Sequence, residues 1–378
     1  MKTPPQIPFN VPAITGRESD MLQEVLSAGR FAGNGAFSRR CTSVLVERLG
    51  CAEAIMTSSC TDALEMCALL CGVGPGDEVI MPSYTFVSTA SAFALRGVNI
   101  VWCDIRPDTK NIDETLIEDL ITERTKAVVA VHYAGVTCEM DAIAALCERR
   151  GLTLVVDAAQ AIDCTYKDRP AASLGNVATF SFHDTKNIQC GEGGALIVND
   201  PNLVERAQFI RDKGTNRTQF IKGLVDKYTW VELGSSFLMS ELQAAFLWPQ
   251  LQESREINAK RLRHWDRYYE RLTAFLPEEA LPIVPEHCTH NGHMFYILLD
   301  SAEQRGRMME HLAGQGISAY FHYVPLHEAP YWQGKYAHVT LPVTERVAQC
   351  LLRLPMYCDL ADEQIDHVCK SIRTFESC

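Results

Sequence analysis

Lys186 stands inside the run Ser181-Phe-His183-Asp-Thr-Lys186-Asn-Ile-Gln-Cys-Gly191-Glu-Gly193-Gly194, and Asp157 closes the apolar run Leu154-Val-Val, 29 residues earlier. An amine beside a glycine-rich turn and a carboxylate at the end of an apolar run are the two groups that pyridoxal phosphate (PLP) chemistry requires. The amine condenses with the cofactor aldehyde, and the carboxylate holds a proton on the pyridine nitrogen so that the ring can accept carbanion electrons. Neither residue is diagnostic alone, because most lysines are solvated and most aspartates after a strand cap the next helix. Their surroundings make the pair informative. Gly191, Gly193 and Gly194 permit a tight turn and a close backbone approach, and Ala195–Val198 reads as a buried strand leading away. A lysine held by such a turn faces a cleft, where desolvation favours its neutral, nucleophilic form.

The phosphate of such a cofactor needs N–H donors at a helix start. Thr57-Ser58-Ser59-Cys60-Thr61 immediately precedes a helix expected over 62–70. Ordinary N-capping by Ser59 or Thr61 accounts for the same residues equally well. Phe86 lies just beyond the end of an apolar run and could cover a flat ring, with core packing as the alternative. Ser181 could donate to the phosphate, and Gln160, three residues past Asp157, could reach the phenolic oxygen. His183 and the stretch His322-Tyr323-Val-Pro-Leu-His327 have the polar and aromatic character of a substrate wall, although structural roles explain them as readily.

These groups need a scaffold. The runs 78–82, 99–103, 127–131 and 152–156 read as short strands buried on both faces, with intervening helices such as Met140–Arg150. That alternation predicts an α/β layer fold with a mainly parallel central sheet, in which ligands gather at the carboxyl ends of strands. Asn199 and Asp200 ahead of Pro201 predict a helix over 201–213. Residues 239–269 read as helical, with a kink or break at Pro249. A boundary near residue 250 divides a large PLP-binding domain, 1–250, from a smaller C-terminal α+β domain, 251–378. The latter carries a strand over 294–299 and a helix over 302–315.

Length alone suggests two or three domains. The 378 residues can bury a large core, and 47% hydrophobic and 22% charged residues are ordinary for a soluble chain. A net charge of −12 argues against a general binder of nucleic acid or membrane surfaces. The first residues lack the apolar run of a signal peptide, and no stretch approaches the roughly 18 continuous apolar residues of a membrane span. A cytoplasmic protein is expected. The 15 cysteines are scattered through apparent core segments without a CxxC pair, so buried hydrophobes are expected and no metal site.

Together these segments resemble the sugar-nucleotide aminotransferases of the DegT/DnrJ/StrS family, a branch of fold-type I PLP-dependent transferases. The resemblance covers nearly the whole chain. Within that family it looks closest to the dTDP-4-amino-4,6-dideoxygalactose transaminases of cell-surface polysaccharide synthesis. Long stretches carry it, among them Pro75–Thr89, Pro107–Glu118, Val131–Val136 and Asp212–Arg217. The resemblance implies that Lys186 binds the cofactor aldehyde, Asp157 the pyridine nitrogen and Gln160 the phenolic oxygen. It implies that Phe86 stacks on the ring and that Ser59, Cys60, Thr61 and Ser181 surround the phosphate. Many members have Ser-Gly-Thr where this chain has Ser59-Cys60-Thr61, a change that spares the backbone donors. Many also carry Gly-Tyr-Asn-Tyr-Arg where this chain has Gly234-Ser-Ser236-Phe-Leu238. There Ser236 could still reach the phosphate of a neighbouring subunit's cofactor, whereas Leu238 cannot replace a charge.

The implied substrates are L-glutamate and dTDP-4-dehydro-6-deoxyglucose, and the implied assembly is a homodimer with shared active sites. His183 and Tyr323 are the candidate substrate contacts. Two rival readings fit less well. A PLP-dependent sugar dehydratase of the same family usually has histidine at the Lys186 position. A silent regulator needs neither Lys186 nor Asp157, and the chain has no basic helix-turn-helix-like segment.

Overall fold

The apolar runs form the spine of the protein. A computed structural model describes residues 6–332, 335 and 339–375. Its strands are β1 (Glu53–Thr57), β2 (Glu78–Pro82), β3 (Asn99–Cys103), β4 (Thr125–Val131), β5 (Thr153–Asp157), β6 (Thr165–Tyr166), β7 (Arg169–Pro170), β8 (Val177–Ser181), β9 (Gly194–Val198), β10 (Cys288–Thr289), β11 (Phe295–Leu298) and β12 (Leu351–Leu354). Seven of them make one sheet in the order β1-β9-β8-β5-β4-β2-β3. The pairs β3–β2, β2–β4, β4–β5 and β5–β8 are parallel, while β9 runs antiparallel to both β8 and β1. This is the α/β, fold-type I architecture expected from the sequence, with β9 as the reversed strand.

Burial explains why these runs became strands. Val79, Ile80 and Met81 in β2 and Val155 and Val156 in β5 have no accessible surface, which requires helices on both faces. The helix Met140–Arg150 has the bounds expected, and Asp200 caps a 3-10 turn, Pro201–Leu203, that leads into the helix Val204–Arg211. That helix stops two residues short of the expected end, because Asp212 leaves helical geometry at φ −109°, ψ 54°. Pro249 does not break its helix. It lies within Glu241–Gln252, and the interruption falls at Glu253, which separates that helix from Ser254–Leu272. Proline lacks only its own N–H, and the Glu253 N–H still reaches the Pro249 carbonyl at 3.1 Å.

Glu241 ties this helix to another. Its buried carboxylate accepts from the N–H groups of Gly35 (2.9 Å), Phe37 (2.8 Å) and Ser38 (3.0 Å), at the start of the helix Ala36–Leu49. A helix start exposes unsatisfied N–H groups and positive dipole charge, so a carboxylate there offsets its own desolvation.

Beyond β10 the chain builds a second apolar cluster around β11 and β12, with the helices Ala302–Gly314 and Asp362–Phe375 and the far end of Ser254–Leu272. The strands pair antiparallel, placing Tyr296 opposite Arg353. Ile7 joins this cluster by bridging Ile317. All fourteen cysteines among the described residues are free, and twelve are buried. Among the described residues no helix is long and apolar enough to cross a membrane.

Candidate active site

The carboxyl ends of β1, β2, β4, β5 and β8 open on a cavity of about 460 Å³, and Asp157 lies at its floor. The Asp157 carboxylate is buried but braced: Thr89 Oγ1 donates to Oδ2 at 2.8 Å and the Ala159 N–H donates to Oδ1 at 3.1 Å. Burial pushes its pKa above the usual carboxylate value, opposed by those two bonds and by the charge of Lys186. A buried carboxylate held this way is prepared to face a cationic ring nitrogen.

Lys186 lines the same cavity and makes no side-chain hydrogen bond or ion pair among the described residues. Burial lowers its pKa from the ordinary 10.5; Cys60 and Asp157 oppose the shift and Arg353 adds to it. Its backbone is fixed by bonds across the glycine-rich turn, from Phe182 N to Gly193 O (2.8 Å), Asp184 N to Gly191 O (3.0 Å) and Cys190 N to Phe182 O (2.9 Å). Next in the chain, Asn187 donates to Asn258 Oδ1 (2.8 Å) and to the Asn291 carbonyl (2.9 Å), and it accepts from His293 Nδ1 (2.8 Å). The lysine is thus free at its tip and clamped at its root.

The cup forms where the helix Cys60–Leu70 begins. Ser59 caps it, accepting from the Asp62 N–H at 3.0 Å, and Thr61 Oγ1 shares a 2.8 Å bond with Ser88 Oγ. Capping is therefore real, but it satisfies only one of the N–H groups of the first turn. Those of Cys60 and Thr61 precede the first intrahelical bond and remain available to an anion. Gly194 permits this geometry: a Cβ there would stand 2.5 Å from Cys60 N and from Ser59 O. The Cys60 thiol is pushed up to about 12, chiefly by burial, and stays neutral.

Phe86 precedes the helix Val87–Ala94 and is 59% exposed, so its ring is available to a ligand rather than lost in the core. Phe86, Ser59, Cys60, Thr61, Ser181 and Gln160 all line the cavity. His183 lines it at the rim, 2.9 Å from Thr185 Oγ1 and 3.0 Å from Asp184 Oδ1. Ser236 is the exception. It is exposed and bridges Asp212 outside the cavity of its own chain.

The opposite wall comes from the C-terminal part of the chain, with His322, Tyr323, Arg353 and Leu354. Tyr323 accepts from Gln160 Nε2 at 3.0 Å and stacks on the His322 ring at 4.0 Å. His327 turns away, with Nδ1 2.8 Å from Ser83 Oγ. Three contributors went unnoticed in the sequence: Thr89, His293 and Arg353. Thr89 could have been found one helical turn after Phe86, and Arg353 as a charge interrupting Leu351-Leu-Arg353-Leu354. His293 carries no such signal, since its role depends on a partner 106 positions away.

A partnerless lysine, a braced buried carboxylate and two unused N–H groups on one floor fit the aldehyde, ring nitrogen and phosphate of PLP. On this sheet they define a PLP-dependent enzyme of fold type I. Comparison narrows the class. The chain belongs to the DegT/DnrJ/EryC1/StrS aminotransferase family, whose sequence profile matches residues 12–373. The aminotransferase TlmJ from Streptoalloteichus hindustanus is 31% identical, with a TM-score of 0.89 over 98% of this chain and 99% of that one. PseC of Helicobacter pylori, an aminotransferase of pseudoaminic acid biosynthesis, is 27% identical, with a TM-score of 0.89 over 99% and 100% of the two chains. The PLP form of the putative sugar aminotransferase Spr1654 from Streptococcus pneumoniae is 25% identical, with a TM-score of 0.90 over 99% of each chain; its PMP form is similar too. The protein is a PLP-dependent aminotransferase.

Proposed function

We propose that the protein moves an amino group from L-glutamate to a nucleotide-linked keto sugar, dTDP-4-dehydro-6-deoxyglucose, giving dTDP-4-amino-4,6-dideoxygalactose and 2-oxoglutarate. One observation carries the reading: the unpartnered Lys186 amine and the braced Asp157 carboxylate line a single cavity. The sugar and its nucleotide rest on the long sequence matches, such as Pro75–Thr89 and Asp212–Arg217. Sugar aminotransferases among the structural neighbours support the class.

Bound PLP supplies an aldehyde that carries the amino group and a ring that accepts electrons from the carbon losing its proton. The chain's residues do the rest. Lys186 would hold the aldehyde of a bound cofactor, and its amine would move a proton in the neutral form that its depressed pKa makes accessible. Asp157 keeps the ring nitrogen protonated, while Thr89 fixes the carboxylate that does so. Phe86 would cover one ring face, Gln160 would meet the phenolic oxygen, and Ser59, Cys60, Thr61 and Ser181 would hold the phosphate. His183 and Tyr323 contact the sugar.

The reading includes a cytoplasmic homodimer. Ser236 then serves the partner's cofactor, as its exposed position outside its own cavity allows. It also takes 1–250 and 251–378 as two domains, supported by the separate apolar cluster around β11 and β12.

Incubation with PLP, glutamate and dTDP-4-dehydro-6-deoxyglucose, followed by mass spectrometry and NMR, tests it. The 4-amino-4,6-dideoxygalactose nucleotide is expected. Absence of any amine while the cofactor is visibly bound rejects this substrate.

A further inference from the structure

His327 shares a short stretch with His322 and Tyr323, which line the cavity, yet it lies outside that cavity, in the 3-10 turn Leu326–Glu328. Its side chain is only 3% exposed. Nδ1 lies 2.8 Å from the hydroxyl of Ser83, which is itself buried and accepts from the His327 N–H at 3.1 Å. The other ring nitrogen, Nε2, is buried and has no hydrogen-bond partner among the described residues.

That nitrogen faces two carboxylates. Glu328 follows it in the chain, and Glu345 comes from the first turn of the helix Pro342–Cys350. One donor atom from each of the three side chains lies within 4.8 Å of the other two. The shortest of these separations given by an ion pair is Nε2 to Glu345 Oε1, at 3.5 Å, beyond the roughly 2.7–3.2 Å of a good N–H···O bond. Glu345 Oε1 is already engaged with the Leu341 N–H at 2.9 Å. Among the described residues neither carboxylate has a lysine or arginine nitrogen within 4.0 Å. Carboxylates gathered near a surface would mean little alone; the buried, unsatisfied nitrogen gives the cluster its direction. With the ring proton on Nδ1 and donated to Ser83, the lone pair of Nε2 points at the two acids, which is how ligating histidines are held.

An imidazole and two carboxylates without a thiolate suit a divalent transition ion. Zinc takes such donors at about 2.0–2.2 Å, which sets tetrahedral ligands about 3.4 Å apart. His327 and Glu345 already stand at that spacing, and the exposed Glu328 can close the remainder by side-chain rotation. Water completes the shell, and two carboxylates balance the charge of the ion. The cysteines gave no reason to expect a metal, and none takes part.

We propose that His327, Glu328 and Glu345 bind a zinc ion, at a site outside the cofactor cavity. The ion fastens the C-terminal part of the chain to the segment that carries Phe86. Ser83 stands three residues before Phe86, and its carbonyl accepts from the Leu326 N–H at 3.1 Å. Tyr323, on the wall, stands four residues before His327. The inference is independent of which substrate the enzyme takes.

Calorimetric titration of the chelator-treated, PLP-loaded enzyme with zinc chloride tests it. One ion per chain is expected, with Tm raised by about 3 °C at saturating zinc. Glu328→Gln and Glu345→Gln should each weaken binding at least about 10-fold. The amide oxygen of the second variant can still accept from Leu341, so the fold is kept. X-ray absorption at the zinc edge should show nitrogen and oxygen ligands at about 2.0–2.2 Å and no sulfur at about 2.3 Å, which separates this site from an ion held by cysteines. Equal zinc affinity of wild type and both variants overturns the assignment. So does a sulfur-ligated ion, or failure of the wild type to bind one ion per chain.

Discussion

The floor and the wall of the cavity handle charge in opposite ways. On the floor, a buried carboxylate is answered from three directions, by the Thr89 hydroxyl, the Ala159 N–H and the Lys186 charge. On the wall, the Arg353 guanidinium bonds the His322 imidazole and lies over the Phe9 ring, with no carboxylate within 4.0 Å among the described residues. The carboxylate of the floor is braced before anything binds, as suits a resident cofactor. The wall is left short of an anion, as suits a reactant that enters and leaves. Preorganisation is thus uneven within one cavity, and the unevenness follows the lifetime of the ligand on each side.

The comparison can be broken at several strengths. Lys186→Ala should remove at least about 10³ of the turnover rate, because no other lysine among the described residues lines the cavity; product measured by mass spectrometry checks this. Continued product formation by that variant defeats the mechanism. Asp157→Asn should cost about 100-fold in kcat and weaken cofactor affinity in spectral titration, since it keeps the shape but not the charge.

An effect on stability comes next. Burial holds His132, on the floor, down to about 4, against 6.5 for the free group. Between these values the unfolded chain takes up a proton that the folded chain refuses, so stability falls as pH drops from about 6.5 to 4. By pH 5 the cost is roughly 2 kcal/mol, or about 30-fold in the folding equilibrium. Urea midpoints at pH 7 and 5 should show that loss, and His132→Asn should lose that share of the slope. The smallest effect belongs to the wall. Tyr323→Phe removes the bond to Gln160 and should change KM for the keto sugar by about fivefold, leaving cofactor affinity unaltered. A fall in cofactor affinity instead would show that floor and wall are not separate.

The same division governs what could be read from the chain. Two floor residues follow apolar runs that the sequence shows: Asp157 ends β5 and Phe86 lies four positions past β2, whereas β1 and β8, which lead to Ser59 and Ser181, carry only short apolar stretches that do not read as strands. A parallel sheet aligns those ends, so the periodicity that reveals the strands also reveals the site. The wall has no such frame, and its members His322 and Tyr323 stand out by residue type alone. His322 and Tyr323 sit in irregular backbone, and β12 is only four residues long, too short for a pattern to show. Its hydrogen bonds to β11 and to Tyr320 are made at distances along the chain that no local rule anticipates. Pro249 was misleading for a different reason. Its local rule held, but a helix can lose one bond and continue where burial on its flanks is sufficient.

The order of these pieces along the chain also sets a schedule during translation. The last strand of the large sheet, β9, ends at Val198, whereas Arg353 follows 155 positions later. At about 5–20 residues per second a ribosome needs about 8–30 s to cover that distance, and N-terminal units fold first. A nascent chain can therefore display Asp157, Lys186 and the helix start at Cys60 while its arginine is still unmade. The floor of the cavity is thus made before its wall.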